Sequence, residues 1–338
     1  MAVTIKQIAE RAGLSVPTVS RILNNDGELF RPETRDKVLT AARDLGYRPN
    51  SYRMALRTKR FNAIGLLFTA DPTLTGLSCD TQCALLRALQ RRNQHLVAGQ
   101  ASSDDSTGEA ALPKMLREWS VDGLLIDTAA AAPLEVEQLI RRTAIPSIWL
   151  NTKRDVDCVY ADEEQGAAHG TRELLSLGHK RVMYLDLGDR GHASPPARRA
   201  GYEAAMQSAG LPPRHLIPEP LDDAHRVAFV SKWLASVSAA DRPTAILCAA
   251  ATHAMPLYIA AMKAGLSVPE DLSILTIHDQ ASCGLGVQLT MMRLPSAELA
   301  GEGLTALDQK IAHPHMELPP QAVQLIFEKG TTIAHAKA

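Results

Sequence analysis

The chain has 338 residues, 46% of them apolar, and a formal net charge of -1. At roughly 100–200 residues per domain, that length predicts two or three domains, with enough apolar residues for a sizeable core. No apolar run approaches the ~20 residues of a membrane span, and five cysteines without a C-x-x-C pair give neither a disulfide framework nor a zinc site. The near-neutral total hides an asymmetry: residues 1–60 carry 12 Lys/Arg against 6 Asp/Glu, while the rest carries 24 against 31. A basic head on an acidic body fits a head that meets a polyanion.

In chain order, Thr4 reads as an N-cap with Gln7 three residues on, as in a capping box. Ile5, Ile8, Ala9 and Ala12 repeat at helical spacing, and Gly13 stands where the chain leaves the helix with positive φ. Ser15 caps a second predicted helix with Pro17 in its first turn and Val16, Val19, Ile22 and Leu23 along it, ending near Asn24. Two short helices joined by a Gly turn form a helix-turn-helix, whose second helix enters the major groove. Val16, Pro17, Thr18, Ser20 and Arg21 are its outward side chains. Arg21 is suited to a guanine edge, and Ser15, Thr18 and Ser20 to phosphates. Leu14, Val19 and Ile22 are expected to fix the crossing. A third helix starts at Pro32, carries Val38, Leu39, Ala42 and Leu45, and closes at Gly46. Tyr47-Arg48-Pro49-Asn50 and the segment 51–60 follow.

These residues resemble the LacI/GalR-type repressors. The pattern T-I-x-x-I-A-x-x-A-G-[VL]-S-x-x-T-V-S-R-x-L-N, then G-Y-x-P-N and a hinge ending in leucine, is met by Thr4-Ile5, Ile8-Ala9, Ala12-Gly13-Leu14-Ser15, Thr18-Val19-Ser20-Arg21, Leu23-Asn24, Gly46-Tyr47, Pro49-Asn50 and Leu56. The resemblance implies DNA contacts at Thr4, Ile5, Ser15, Val16, Pro17, Thr18, Ser20, Arg21, Asn24, Asn50, Arg53 and Leu56. In that family the hinge folds on operator DNA, and its leucine wedges into the central base step from the minor groove. The family's Ala-Arg before the leucine is Arg53-Met54 here, so operator preference is expected to differ.

From Phe61 the pattern becomes strand–helix alternation. Strands are expected at 63–69, 96–98, 121–126, 146–150, 181–187, 245–248 and 272–277, with helices between them, which signals parallel α/β sheets. The expected fold is an all-α helix-turn-helix head plus an α/β periplasmic-binding-protein-like core of two doubly wound parallel-sheet lobes. The domains are expected at 1–48, a hinge at 49–60 and an effector-binding, dimerising body at 61–338. The resemblance continues through Val121-Asp122-Gly123, Leu177-Gly178-His179-Lys180-Arg181, Arg198…Gly201-Tyr202, Val268-Pro269-Glu270-Asp271-Leu272 and Leu289-Thr290.

Carried over singly, the family's pocket positions fall on Asn151, Arg198, Ala250 and His278. Asn151 stands where Asp is usual, and Arg198 matches the arginine that forks onto ligand oxygens. The usual Asn-Asp is Ala250-Ala251, the usual Phe-Asp-Asp is Ile277-His278-Asp279, and Leu294 replaces a polar residue. The loop 70–78 lacks the usual Asn-Pro-Phe. Three readings stay open: a less polar or anionic effector held by Arg198 and His278, a sugar held by a rearranged set, or a partner protein in place of a small molecule. Trp149 and Trp233 read as fillers of apolar faces.

No catalytic set emerges: the chain has no G-x-S-x-G, H-E-x-x-H or Gly-rich phosphate loop. The sequence reading is therefore a cytoplasmic, non-enzymatic regulator, with no cofactor and no metal, that binds a near-palindromic operator as a homodimer. The residues after Phe327 show no leucine heptad, so no coiled-coil tetramer is expected.

Overall fold

The computed structural model describes all residues except 1–2, 25–28, 49–59, 69–76, 101–113, 119, 128–133, 189–193, 279–285 and 338. The chain divides into two compact units, Met1–Phe61 and Asn62–Ala338. In the first, α1 (Ile5–Ala12) begins at Thr4, which forms the predicted capping box with Gln7, and ends at Gly13 with φ 66°. α2 (Val16–Leu23) begins at Ser15, whose hydroxyl accepts from the Thr18 N–H, and carries Pro17 in its first turn. α3 spans Pro32–Asp44. Ile8, Ala9, Val19, Ile22, Val38, Ala41 and Ala42 form the buried centre, with Leu14, Phe30, Leu45 and Tyr47 packed around it. Ala9 is small because α1 and α2 meet beside it. Leu39, next to the buried Val38, is 37% exposed. Ala41 takes the inward place, because on a helix the residue three after Val38 lies on the same face and the residue one after does not.

The second unit holds two six-stranded sheets. The first lobe contains β1 (Ala63–Phe68), α4 (Cys79–Arg91), β2 (His95–Gln100), α5 (Lys114–Arg117), β3 (Gly123–Asp127), α6 (Leu134–Thr143), β4 (Ser147–Leu150) and β5 (Cys158–Ala161). The second contains α7 (Glu163–Ser176), β6 (Val182–Leu185), α8 (Ser194–Ser208), β7 (His215–Leu216), α9 (Asp223–Ser236), β8 (Ala245–Cys248), α10 (Ala251–Lys263), β9 (Ser273–His278) and β10 (Thr290–Arg293). The chain then returns: α11 (Ser296–Ala312) packs on β3, β4, β5 and α4 of the first lobe, β11 (Gln321–Val323) joins its sheet, and β12 (Ile326–Glu328) joins the second.

The strand orders are β11-β5-β4-β3-β1-β2 and β12-β10-β9-β8-β6-β7. All pairings are parallel except β10 with β12. The chain passes between lobes at Asp162, at Leu294–Pro295 and at Gln324–Leu325. These passages are tied together: the Asp162 N–H donates to the Val323 carbonyl at 2.9 Å, and Gln324 Nε2 donates to Asp162 Oδ2 at 3.1 Å. Gly166 lies one turn into α7, where a Cβ would stand 2.6 Å from Leu325 Cδ2. One apolar core runs through this pivot, joining Leu125 and Leu150 of the first lobe to Leu247, Leu275 and Met292 of the second. Trp149 is buried under the Arg154 guanidinium, 3.8 Å from the ring centroid, and Trp233 packs on the second lobe's own core.

Candidate functional site

The head offers one exposed row. Val16, Pro17 and Arg21 are exposed on α2, while Thr18 and Ser20 are half-buried beside them. The capping hydroxyls are partly engaged: Ser15 Oγ lies 2.8 Å from Thr18 Oγ1, and Asn24 Nδ2 donates to Ser20 Oγ at 3.2 Å. Thr4 is exposed and Ile5 half-buried at the start of α1. Asn50, Arg53 and Leu56 lie outside the described residues. Phe30, which sequence reasoning did not single out, carries the Arg21 guanidinium 5.4 Å above its ring centroid. That contact restrains a long, exposed side chain. A lone aromatic seven residues past the second helix gave no spacing signal.

The body's site lies where parallel strands end. Ligands of such sheets sit at the carboxyl ends of the strands, and lobes joined by several passages close over them. Asn151 follows β4, Ala250 follows β8, and His278 ends β9. Asn151 adopts φ 59°, a left-handed conformation Asn tolerates better than most residues. It lines a cavity of about 170 Å³ with Lys153, Tyr160, Asp162, Glu163 and Ser194.

Arg198 is placed by α8. It is buried, and its guanidinium is forked onto a carboxylate of the protein itself: Nε donates to Glu163 Oε2 at 2.6 Å and Nη2 to Glu163 Oε1 at 2.8 Å. Nη1 donates to the Ala249 carbonyl, next to Ala250. Gly201 makes this possible, because a Cβ there would overlap the Glu164 carbonyl oxygen and hold α8 away from α7. Glu163 thus links two of the predicted positions: it lines the cavity with Asn151 and holds Arg198. Ala250 is the N-cap of α10 and supplies no side-chain cap. His278 is half-buried, and its carbonyl accepts from the Leu294 N–H at 2.9 Å at the second passage between lobes.

Two site residues escaped the sequence reading. Glu163 sits in an acidic run, Asp162-Glu163-Glu164, that reads as ordinary first-turn acids of a helix. Asp127 ends β3 after four apolar or small residues and is only 1% exposed. Its Oδ2 accepts from the Leu77 N–H at 3.0 Å, and its Oδ1 has no hydrogen-bond partner among the described residues. Burial pushes its carboxyl up to about 7, against the opposing effect of the Leu77 N–H. A charge closing an otherwise apolar strand at its carboxyl end was the available signal.

A DNA-reading helix-turn-helix beside a two-lobed body with a pivoted cleft defines a ligand-responsive regulator of transcription. The model for bacterial regulatory proteins of the lacI family matches residues 4–50, and that for the periplasmic binding protein-like domain matches 171–332, together more than half of the chain. The protein belongs to the lacI family of bacterial regulators. The ribose operon repressor of Haemophilus influenzae is 27% identical over 92% of this chain and 93% of its own. The HTH-type transcriptional regulator DegA of Bacillus subtilis is 28% identical over 96% and 97%. A Lac repressor dimer bound to operator and an anti-inducer has the same fold, with TM-score 0.76 at 21% identity over 99% of this chain and all of that one. The ribose-bound family member from Enterococcus faecium aligns with 81% of this chain and all of its own, with TM-score 0.63 at 24% identity.

Proposed function

We propose that the protein is a cytoplasmic repressor that holds a near-palindromic operator as a homodimer and releases or gains it when a small molecule enters the cleft. The observation that carries the DNA reading is the row of exposed Val16, Pro17 and Arg21, with half-buried Thr18 and Ser20 beside them, on a helix capped at Ser15. In this reading 1–48 is the head, 49–60 the hinge and 61–338 the body, with Asn50, Arg53 and Leu56 in the minor groove. One helix-turn-helix covers half a site, so two copies are needed. The outer side of α10 fits a second copy: Met255, Pro256, Ile259 and Met262 follow one another at helical spacing there, with Met262 62% exposed.

Asn151, Arg198, Ala250 and His278 surround the effector in this reading, although Arg198 reaches it through Glu163. Because the arginine's fork is taken by Glu163, the anionic reading loses its main donor. Ribose bound to the Enterococcus faecium relative supports a small-molecule cleft of this kind. The test is operator selection from a random DNA library with the full chain. Enrichment of a two-fold symmetric site with half-sites about one helical turn apart is expected. A half-site without symmetry overturns the dimer reading. A metabolite screen on the recovered operator, read as release or tightening, tests the effector independently.

A further inference from the structure

Asp127 and Glu163 lie at the strand-end edges that face the cleft, and each bears on the charge of the ligand the cleft takes. Asp127 ends β3, beside the Asn151 end of β4 in the parallel register Ile126 to Trp149. It is buried, and among the described residues one oxygen has no hydrogen-bond partner and the other accepts from the Leu77 N–H alone. Among the described residues no cation pairs with it. A buried carboxylate with one backbone donor and no counter-charge is costly to keep. A ligand hydroxyl supplies a donor but leaves the charge; an ammonium supplies both. On the other lobe, Glu163 forks onto the buried Arg198 and takes up the donors that would welcome an acid.

We propose that the cleft takes a non-anionic small molecule carrying an ammonium group, which docks on the Asp127 carboxylate, while Glu163 excludes acids by occupying Arg198. This rests on the small-molecule reading above and narrows its chemistry. A charge-matched amine gains over its alcohol because the ion pair forms out of water, where charge-assisted hydrogen bonds are strongest. The acid loses, because the Asp127 and Glu163 carboxylates repel it while Glu163 occupies the Arg198 fork.

The test uses the full chain and matched probes that differ only in one group: glucosamine, glucose and glucuronate, and 4-aminobutanol, 1,4-butanediol and 4-hydroxybutyrate. Melting shifts and titration calorimetry are read for the wild type, Asp127→Asn and Glu163→Gln. In the wild type, the amine of at least one set should bind best, and Asp127→Asn should weaken it about tenfold or more. Glu163→Gln frees the Arg198 fork and should bring in the acid that the wild type refuses. The unliganded melting temperature of each variant shows whether it is folded. An alcohol or acid that binds the wild type as well as its amine overturns the ammonium assignment and leaves the effector reading standing. Amine binding that survives Asp127→Asn also overturns it, as does the absence of binding by either amine. Operator release by some other metabolite would separate that last result from a failure of the effector reading.

Discussion

The head and the cleft both hold polar groups ready for a partner, but by opposite means. In the head, the groups at 15–24 are neighbours in sequence, stand on one short helix and face water. Their positions follow from two caps, a Gly turn and a few apolar contacts, and no buried charge is involved. In the cleft, Asp127, Asn151, Glu163 and Arg198 come from separate strands and helices, and three of them are buried. A site made of surface groups tolerates change locally. A site made of buried charges couples each change to the stability of the whole body.

The comparison predicts effects of different size and reach. The largest is expected for Glu163→Ala. It leaves the Arg198 guanidinium buried without its carboxylate and should destabilise the body by about 3–5 kcal/mol, seen as a lowered melting temperature. A loss below 1 kcal/mol would show that the pair is solvated in solution.

Asp127→Asn should act in the opposite direction. A carboxyl raised to about 7 in the folded protein makes ionisation harder there than in the unfolded chain. Its contribution is therefore fully present below about pH 4 and is lost as pH rises through 7. The variant keeps an acceptor for the Leu77 N–H, so it should flatten that slope and gain on the order of 3–4 kcal/mol at pH 8. Melting curves of the unliganded protein between pH 5 and 8 check this, and parallel curves for the two proteins would contradict the buried charge.

In the head, Arg21→Ala should weaken specific operator binding by about 1–3 kcal/mol and relax selectivity at one base pair, with non-specific binding nearly unchanged. An equal loss on all sequences would make Arg21 a phosphate contact. The smallest effect is expected for Thr4→Ala or Ser15→Ala, about 1 kcal/mol each. It should appear as faster amide exchange confined to 5–23, and exchange that also quickens in β3 or β8 would break the distinction between the two regions.

Legibility followed the same division. The helix starts at Thr4 and Ser15, the turn at Gly13 and the outward row on α2 were all readable, because caps, turns and helical spacing are rules between near neighbours. On α3 one helix position separates the buried Val38 from the exposed Leu39, and packing against α1 turns Ala41 inward. In the body, the strand–helix alternation gave both lobes but not the return of α11 and β11 to the first lobe, since a long helix after β10 has no local mark of which sheet it will cover.

The cleft was legible in its addresses and not in its chemistry. The family resemblance carried the pocket positions onto Asn151, Ala250 and His278, which stand at strand ends, and onto Arg198 on α8. It also determined the head almost entirely, because short helices are fixed by their own caps and by apolar groups a few residues away. Only the tertiary structure decided that Arg198 is already held by Glu163, 35 residues earlier in the chain, and that Asp127 is left buried without a counter-charge among the described residues. The physical reason is that the state of a buried charge depends on what surrounds it in space, and here those surroundings come from α7, α8 and the end of β8, which meet only when the fold is complete.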